Sequence, residues 1–267
     1  MPRIGIGLGL GLFQGSPFDA DYQAVLNYAT SLGYTLPSAG QQVKQNKLLI
    51  DLKTAGIWNK LDSFRVYATD GSSSYALIDW KRLVLCTAVN SPTFTTNVGY
   101  RGNATSSYIN SNYNPTANAV NYTLNSASIF AYISAVRTVG QIQAYQGATG
   151  VSTQLLIAAG TNGFGESYIN NATTGVNNVT TGIGFQLVNR INSTTLNVYY
   201  QGALQNTNSA ITSVSIPNRT IWDFGANNGG TGSLFSNVGN AIIGYGANLT
   251  AEQSAFNTAV NTYINSL

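Results

Sequence analysis

The chain has 267 residues, of which only 8% are charged, twelve basic against nine acidic for a net charge of +3, where an average soluble domain carries about 25%. Hydration must therefore rest on Asn, Thr, Ser, Gly and Tyr, and no basic stripe is present that could neutralise a nucleic-acid backbone. With no histidine in the chain, Ser-His and Cys-His nucleophiles, a histidine general base and His-ligated zinc or iron are excluded.

The first segment alternates aliphatic residues with glycine: Ile4, Gly5, Ile6, Gly7, Leu8, Gly9, Leu10, Gly11, Leu12. In an extended strand this puts every side chain on one face and bare backbone on the other. A terminus of that kind frays unless it is held, so Ile4, Gly5, Ile6, Gly7, Leu8, Gly9, Leu10 and Leu12 are read as a particle- or oligomer-docking strip, the alternative being a strand tucked onto its own domain. Residues 1–18 form the docking segment, 19–60 a helical hairpin and 61–267 a β-sandwich closed by a C-terminal helix.

In the hairpin, Tyr22, Val25, Leu26, Ala29 and Leu32 fall at helical spacing and stop at Gly33. A second helix starts at Ser38 after Pro37, carries Val43, Lys47, Leu48, Ile50, Leu52 and Ala55 along one face, and ends at Gly56. Lys44, Lys47, Lys53 and Lys60 are read as its solvated side.

From Leu61 to Tyr245 short β-prone runs alternate with Gly, Asn, Ser and Thr clusters. They include Phe64 to Ala68, Ser74 to Ile78, Ser128 to Ile133, Gln154 to Ala158, Gly184 to Asn189, Leu196 to Tyr200, Ala210 to Ile216 and Ala241 to Ile243. The texture predicts an antiparallel sandwich. Asp70-Gly71 reads as a turn between two of these strands, and the segments Thr195 to Gln201 and Ala203 to Thr207 as a hairpin about Gly202. The lone Cys86, in an apolar run, reads as a small buried hydrophobe. Thr250 and Gln253 are expected to cap a final helix with Phe256, Val260, Tyr263, Ile264 and Leu267 on one face.

Sandwiches can be glycan hydrolases, which need two carboxylates about 5 to 9.5 Å apart. The acids of the β region, Asp62, Asp70, Asp79, Glu166 and Asp223, include no two at the spacing that puts a pair on one face of one strand. No catalytic residue, metal site or cofactor is expected, and Glu166 is the acid to mutate first as a check. Sixteen tyrosines offer contact surface instead, with Tyr108, Tyr113, Tyr199 and Trp222 as candidate glycan contacts, although ordinary strand packing is the commoner role for any one of them. No apolar stretch approaches 18 residues and no secretory leader stands at the start, so the expectation is a chain folded in a cytosol and not threaded through a membrane.

Three stretches, "AVLNYATSLGYTLPSAGQQVKQNKLLIDLKTAGIWNKLDSFRVYATDG", "VNSPTFTTNVGYRGNATSSYINSNYNP" and "GYGANLTAEQSAFNTAVNTYINSL", together resemble a group of bacteriophage virion proteins with a concanavalin A-like lectin/glucanase domain. That group includes tail, capsid-decorating and head-fibre components. The resemblance runs from about Tyr22 to Leu267, and its sharpest markers are "DLKTAGIWNKLD" and the "LTAEQ" helix. It implies a mainly β, jelly-roll sandwich displayed on a virion made in the bacterial host cytoplasm. The expected partners are other virion proteins and host surface glycans, and the strip Ile4 to Leu12 adds copies of the chain itself, as a homotrimer. The resemblance implies no catalysis, and the glucanase motif Glu-x-Asp-x-x-Glu is not in this sequence. A stand-alone carbohydrate-binding module is the second reading, and a divergent glycoside hydrolase the third.

Overall fold

A computed structural model describes residues 18–138, 142–149, 154–159, 165–172, 176–178 and 182–267. Two helices come first, Ala20–Ser31 and Ala39–Thr54. The Asp19 side chain accepts from the Asp21 amide and the Ser38 hydroxyl from the Gln41 amide, each satisfying an orphan donor at a helix start. Trp58–Lys60 adds a 3₁₀ turn, and the strand Leu61–Val66 enters the first of two large sheets.

The first sheet runs Ala203–Asn208, Leu196–Tyr200, Gly184–Arg190, Ala127–Ala135, Gly239–Gly246, Gly99–Arg101, Thr93–Thr95, with Leu61–Val66 also paired along Gly239–Gly246. The second runs Val176–Asn178, Gly165–Asn171, Gln154–Ala159, Gln143–Thr149, Trp222–Asp223, Tyr108–Asn110, Thr87–Val89. Pairing is antiparallel except where Ala226–Asn228 runs parallel to Gln143–Thr149. The molecule is thus mainly β and sandwich-like.

It has three layers rather than two. Along Ala127–Ala135, Phe130 and Tyr132 point into a cluster shared with Leu48, Leu52, Trp58, Phe256 and Val260, while Ile129, Ala131 and Ile133 point into a cluster shared with Tyr145, Ile109 and Ile169. The helices cover one face of the first sheet and the second sheet covers the other, so its central strands are buried on both sides. The helical hairpin and the sandwich share this core: Val25, Leu49, Phe64 and Phe130 belong to one cluster. Phe256 sets its ring against Phe130 at 4.8 Å and Phe185 at 4.7 Å, fixing the C-terminal helix. At Gly244 the neighbouring strand comes so close that an added Cβ would stand 2.2 Å from the Ser63 carbonyl oxygen.

Several expectations change. Ser74 to Ile78 is a short helix, Ser73–Ala76, because the Ser72 hydroxyl caps it through the Tyr75 amide, and only Ile78–Asp79 is extended. Asp70 therefore turns the chain toward a helix, and its carboxylate accepts from the Ser38 amide at 2.9 Å. Residues 210–216 form no strand; their amides reach separate acceptors, Ile211 to Thr194, Ser213 to Ser193 and Val214 to Asn170. The final helix is Gln253–Asn265 and lacks a side-chain cap, since the Thr250 hydroxyl donates to Asn248 instead. In the second helix Val43 and Ile50 are exposed and Gln41 and Gln45 are buried. Gln45 Oε1 accepts from the hydroxyls of Tyr22 and Tyr75, so a polar knot replaces the expected apolar stripe there. The hairpin about Gly202 forms as expected, with Gln201 at φ 51° and Gly202 at φ 77° supplying the left-handed turn.

Candidate functional site

The docking strip Ile4, Gly5, Ile6, Gly7, Leu8, Gly9, Leu10 and Leu12 lies outside the described residues. Of the four expected glycan contacts, three are inside the protein. Tyr113 is fully buried, its ring stacked on Tyr245 at 5.4 Å and its hydroxyl donating to Asp62. Tyr199 lies in the cluster beneath the helices, where its hydroxyl accepts from Asn197. Trp222 is covered by Tyr108, the two rings 3.7 Å apart and nearly parallel. Tyr108 alone keeps a half-exposed face. Tyr113 and Tyr199 have polar neighbours along the chain, but the packed layers cover them and strand packing is their role.

The buried acids are committed to the scaffold. Arg65, on the first sheet, crosses the interior to Asp223 on the second at 3.3 Å, and both are fully buried. Tyr67 donates to Asp223 at 2.5 Å and Tyr245 at 3.1 Å, while Arg65 donates to the Tyr245 hydroxyl at 2.6 Å. Burial pushes the Asp223 carboxyl up, against the pull of the Arg65 guanidinium and the two phenols. Burial also disfavours the charge on Arg65, but Asp223 together with Tyr245, Tyr67 and Cys86 outweighs it and raises the guanidinium pKa. Asp79 accepts from the Ser63 hydroxyl and from the amides of Phe64, Lys81 and Arg82, and pairs with Arg82 Nε at 2.8 Å. Glu166 accepts from the Tyr168 hydroxyl. Among the described residues no three His, Cys, Asp or Glu side chains gather as a metal site.

One polar pocket opens at the end of the sandwich where Leu61–Val66 begins. Its volume is about 320 Å³, and Asn59, Asp62, Lys81, Arg82, Asn118 and Asn121 provide its polar lining, with Leu61 and Val120 as apolar wall. Asp62 forms the floor, and its two oxygens accept from the amides of Val120, Asn121 and Tyr122, the Tyr113 hydroxyl and Asn121 Nδ2. Those five donors pin the 118–122 loop against the strand. Arg82 closes one wall, bonded to Asp79, the Asn112 carbonyl and the Ser111 carbonyl, with its guanidinium 5.2 Å from the Tyr113 ring centre. Lys81 stands at the other, over the Trp58 ring at 4.8 Å and donating to the Trp58 carbonyl at 2.9 Å. Burial lowers its pKa, only partly offset by Asp21 and Asp62.

None of these residues was singled out as a binding group from the sequence. The three contributing segments, 59–62, 79–82 and 118–121, are joined only by the fold. One local signal was present: Asp79, Lys81 and Arg82 put three charges in four residues of a chain that is 8% charged.

No protein-family model matches the chain, and no curated protein sequence matches it. Solved structures do share its fold. A mutant of Trypanosoma rangeli sialidase displaying trans-sialidase activity superposes with a TM-score of 0.52 at 10% identity, over 85% of this chain and 40% of that one. The same sialidase in complex with 2,3-difluoro-KDN gives 0.52 and 10%, over 83% and 40%. The botulinum neurotoxin serotype D binding domain gives 0.52 and 9%, over 77% and 53%. This chain thus spans about half or less of the length of those neighbours, and at such identities the likeness concerns the β-sandwich alone.

Proposed function

We propose that the protein is a structural and adhesive bacteriophage virion protein, a concanavalin A-like jelly roll displayed on the particle to decorate it and to attach weakly to host surface glycans. The observation that carries this reading is how the polar groups are divided. Asp62, Asp79 and Asp223 are spent on loop and inter-sheet hydrogen bonds, whereas amides and one ammonium with hydrogen-bonding capacity left over collect in a pocket at a loop end. Such a site recognises; general acid-base hydrolysis needs two available carboxylates. The resemblance of the helical and C-terminal stretches to virion proteins supports the particle location, and the sialidase complexed with 2,3-difluoro-KDN supports a glycan partner for this kind of sandwich. Weak single-site affinity suffices when many copies are displayed, because linkage raises effective concentration.

Self-association as a homotrimer through Ile4–Leu12 belongs to the same proposal. Leu8→Asp with Leu10→Asp should abolish the oligomer in analytical ultracentrifugation and leave the sandwich folded. The particle role is tested by immunogold labelling of virions from the host that carries this gene. Regular labelling of head or tail supports it; unlabelled particles from cells that contain the protein overturn it in favour of a stand-alone carbohydrate-binding module.

A further inference from the structure

The pocket between Asn59, Lys81 and Asn121 has a chemistry that narrows its ligand. Lys81 is half-buried, and its ammonium has three N–H groups of which the Trp58 carbonyl takes one. Among the described residues it has no ion-pair partner, whereas Lys47, Lys53, Lys60, Arg65 and Arg82 each have one. Its position is fixed all the same, by the Trp58 ring beneath it. Arg82 has its side-chain nitrogens already bonded, so it contributes positive potential and no loose donors.

The amides are oriented by the fold. Asn121 Nδ2 donates to Asp62 and to the Leu61 carbonyl, which leaves Oδ1 as an acceptor. Asn118 Oδ1 accepts from the Asn114 amide, which leaves Nδ2 as a donor. Asn59 is exposed at the rim. Asp62, its lone pairs met by five donors, makes no further demand on a ligand.

We propose that this pocket binds one acidic sugar unit of a surface polysaccharide, with Lys81 pairing its carboxylate, Asn59, Asn118 and Asn121 bonding its hydroxyls, and Leu61 and Val120 covering its C–H face. The inference rests on the glycan-attachment reading above and names its ligand class. A volume of about 320 Å³ is at the lower end of small-molecule sites, which span about 300 to 1,000 Å³, so it suits a single ring. Lys81 requires an anion. Asn121 Oδ1 is left to accept a hydrogen bond, which a sugar hydroxyl provides and sulfate, having no proton, does not. A neutral sugar would satisfy the amides and leave the half-buried ammonium with only the more distant carboxylates of Asp21, Asp62 and Asp79, none of them in ion-pair contact with it.

The test uses the full chain, uniformly ¹⁵N-labelled, titrated with methyl glucuronide, methyl glucoside and inorganic phosphate while amide and indole shifts are followed. The expected result is that methyl glucuronide moves the Trp58 indole and the 118–122 amides and binds about tenfold more tightly than methyl glucoside, a ratio that falls as salt rises. Lys81→Met should remove that preference, so that glucuronide binds no more tightly than glucoside, and Lys81→Arg should restore part of it. Circular dichroism of both variants confirms that the fold persists. Equal binding of glucuronide and glucoside, an unaffected Lys81→Met, or phosphate binding as tightly as glucuronide overturns the proposal. If a glycan array instead shows neutral sugars bound with no shifts at this pocket, glycan attachment stands and this site fails. If no glycan binds at all, both fail.

Discussion

The ion pair between the sheets offers a test in nested steps. Asp223→Leu removes the anionic partner of Arg65 and the acceptor for the hydroxyls of Tyr67 and Tyr245. The guanidinium stays at 0% exposure, with a cysteine sulfur at 3.7 Å and the Tyr245 hydroxyl as its remaining contacts and Nε without a partner. Breaking a buried pair this way costs about 3 to 5 kcal/mol. At about 2 to 4 °C per kcal/mol for a domain near this size, the melting temperature should fall by roughly 6 to 20 °C. Adding Arg65→Met removes the stranded charge and should recover most of that loss, because paired charges replaced together by apolar groups are often neutral in stability. Two orphaned hydroxyls then remain, each worth about 1 to 3 kcal/mol if left unsatisfied. Tyr67→Phe and Tyr245→Phe should recover that share while keeping the rings that pack on Tyr100 and Tyr113. Urea unfolding of the four variants, followed by circular dichroism, reads each increment. If Asp223→Leu costs less than about 1 kcal/mol, or the double variant is no better than the single one, the pair does not sit unsolvated between the sheets.

Three further outcomes are expected. The Cys86 thiol, pushed by burial to about 11, should resist a thiol reagent at about pH 8 until urea unfolds the chain, because the thiolate is the reactive form; quantitative labelling of the native protein within minutes would contradict its burial. Gly244→Ala puts a Cβ 2.2 Å from the Ser63 carbonyl oxygen and 2.5 Å from the Phe130 ring, and should cost more than the about 1 to 3 kcal/mol of ordinary overpacking; unchanged urea stability would refute the strand register. The hydrogen bond from Lys53 leads the causes that lower the Asp21 pKa below 3.8, so the stability it contributes is present above that value and lost as pH falls through the lower folded value. Melting curves between about pH 2 and 5 should accordingly show a shallower acid dependence for Asp21→Asn than for the native chain, and identical slopes would remove Asp21 from the account.

What could be read in the sequence was what local chemistry decides. Ser38 caps a helix where a serine follows Pro37, Gly33 and Gly56 stop helices at φ 71° and 72°, and the hairpin about Gly202 turns where the alternation breaks. What could not be read depends on the third layer. Tyr199 and Tyr113 look like exposed tyrosines among polar neighbours until the helices and the second sheet are laid over them. Ser74 to Ile78 has strand-like residues, yet a local Ser72 cap decides for helix. The pocket was invisible because its lining comes from segments about 20 to 60 positions apart, and no period in the sequence spans such loops.

The same layering explains where recognition can sit on this molecule. Helices cover one face of the first sheet and the second sheet covers the other, so the central strands have no side chain to spare for a ligand. Ion pairs brace this arrangement: Lys53 joins the start of the first helix, Lys60 joins Glu252 before the last one, Arg65 spans the sheets, Arg82 secures Asp79, and Lys47 pairs along its own helix. A surface this poor in charge exerts little long-range steering on a ligand. Attachment must then come from short-range hydrogen bonding at the loop ends. There the half-buried Lys81 has no ion-pair partner among the described residues, and beside the amides of Asn59, Asn118 and Asn121 its ammonium is the group that, on the proposal above, separates an acidic sugar from a neutral one.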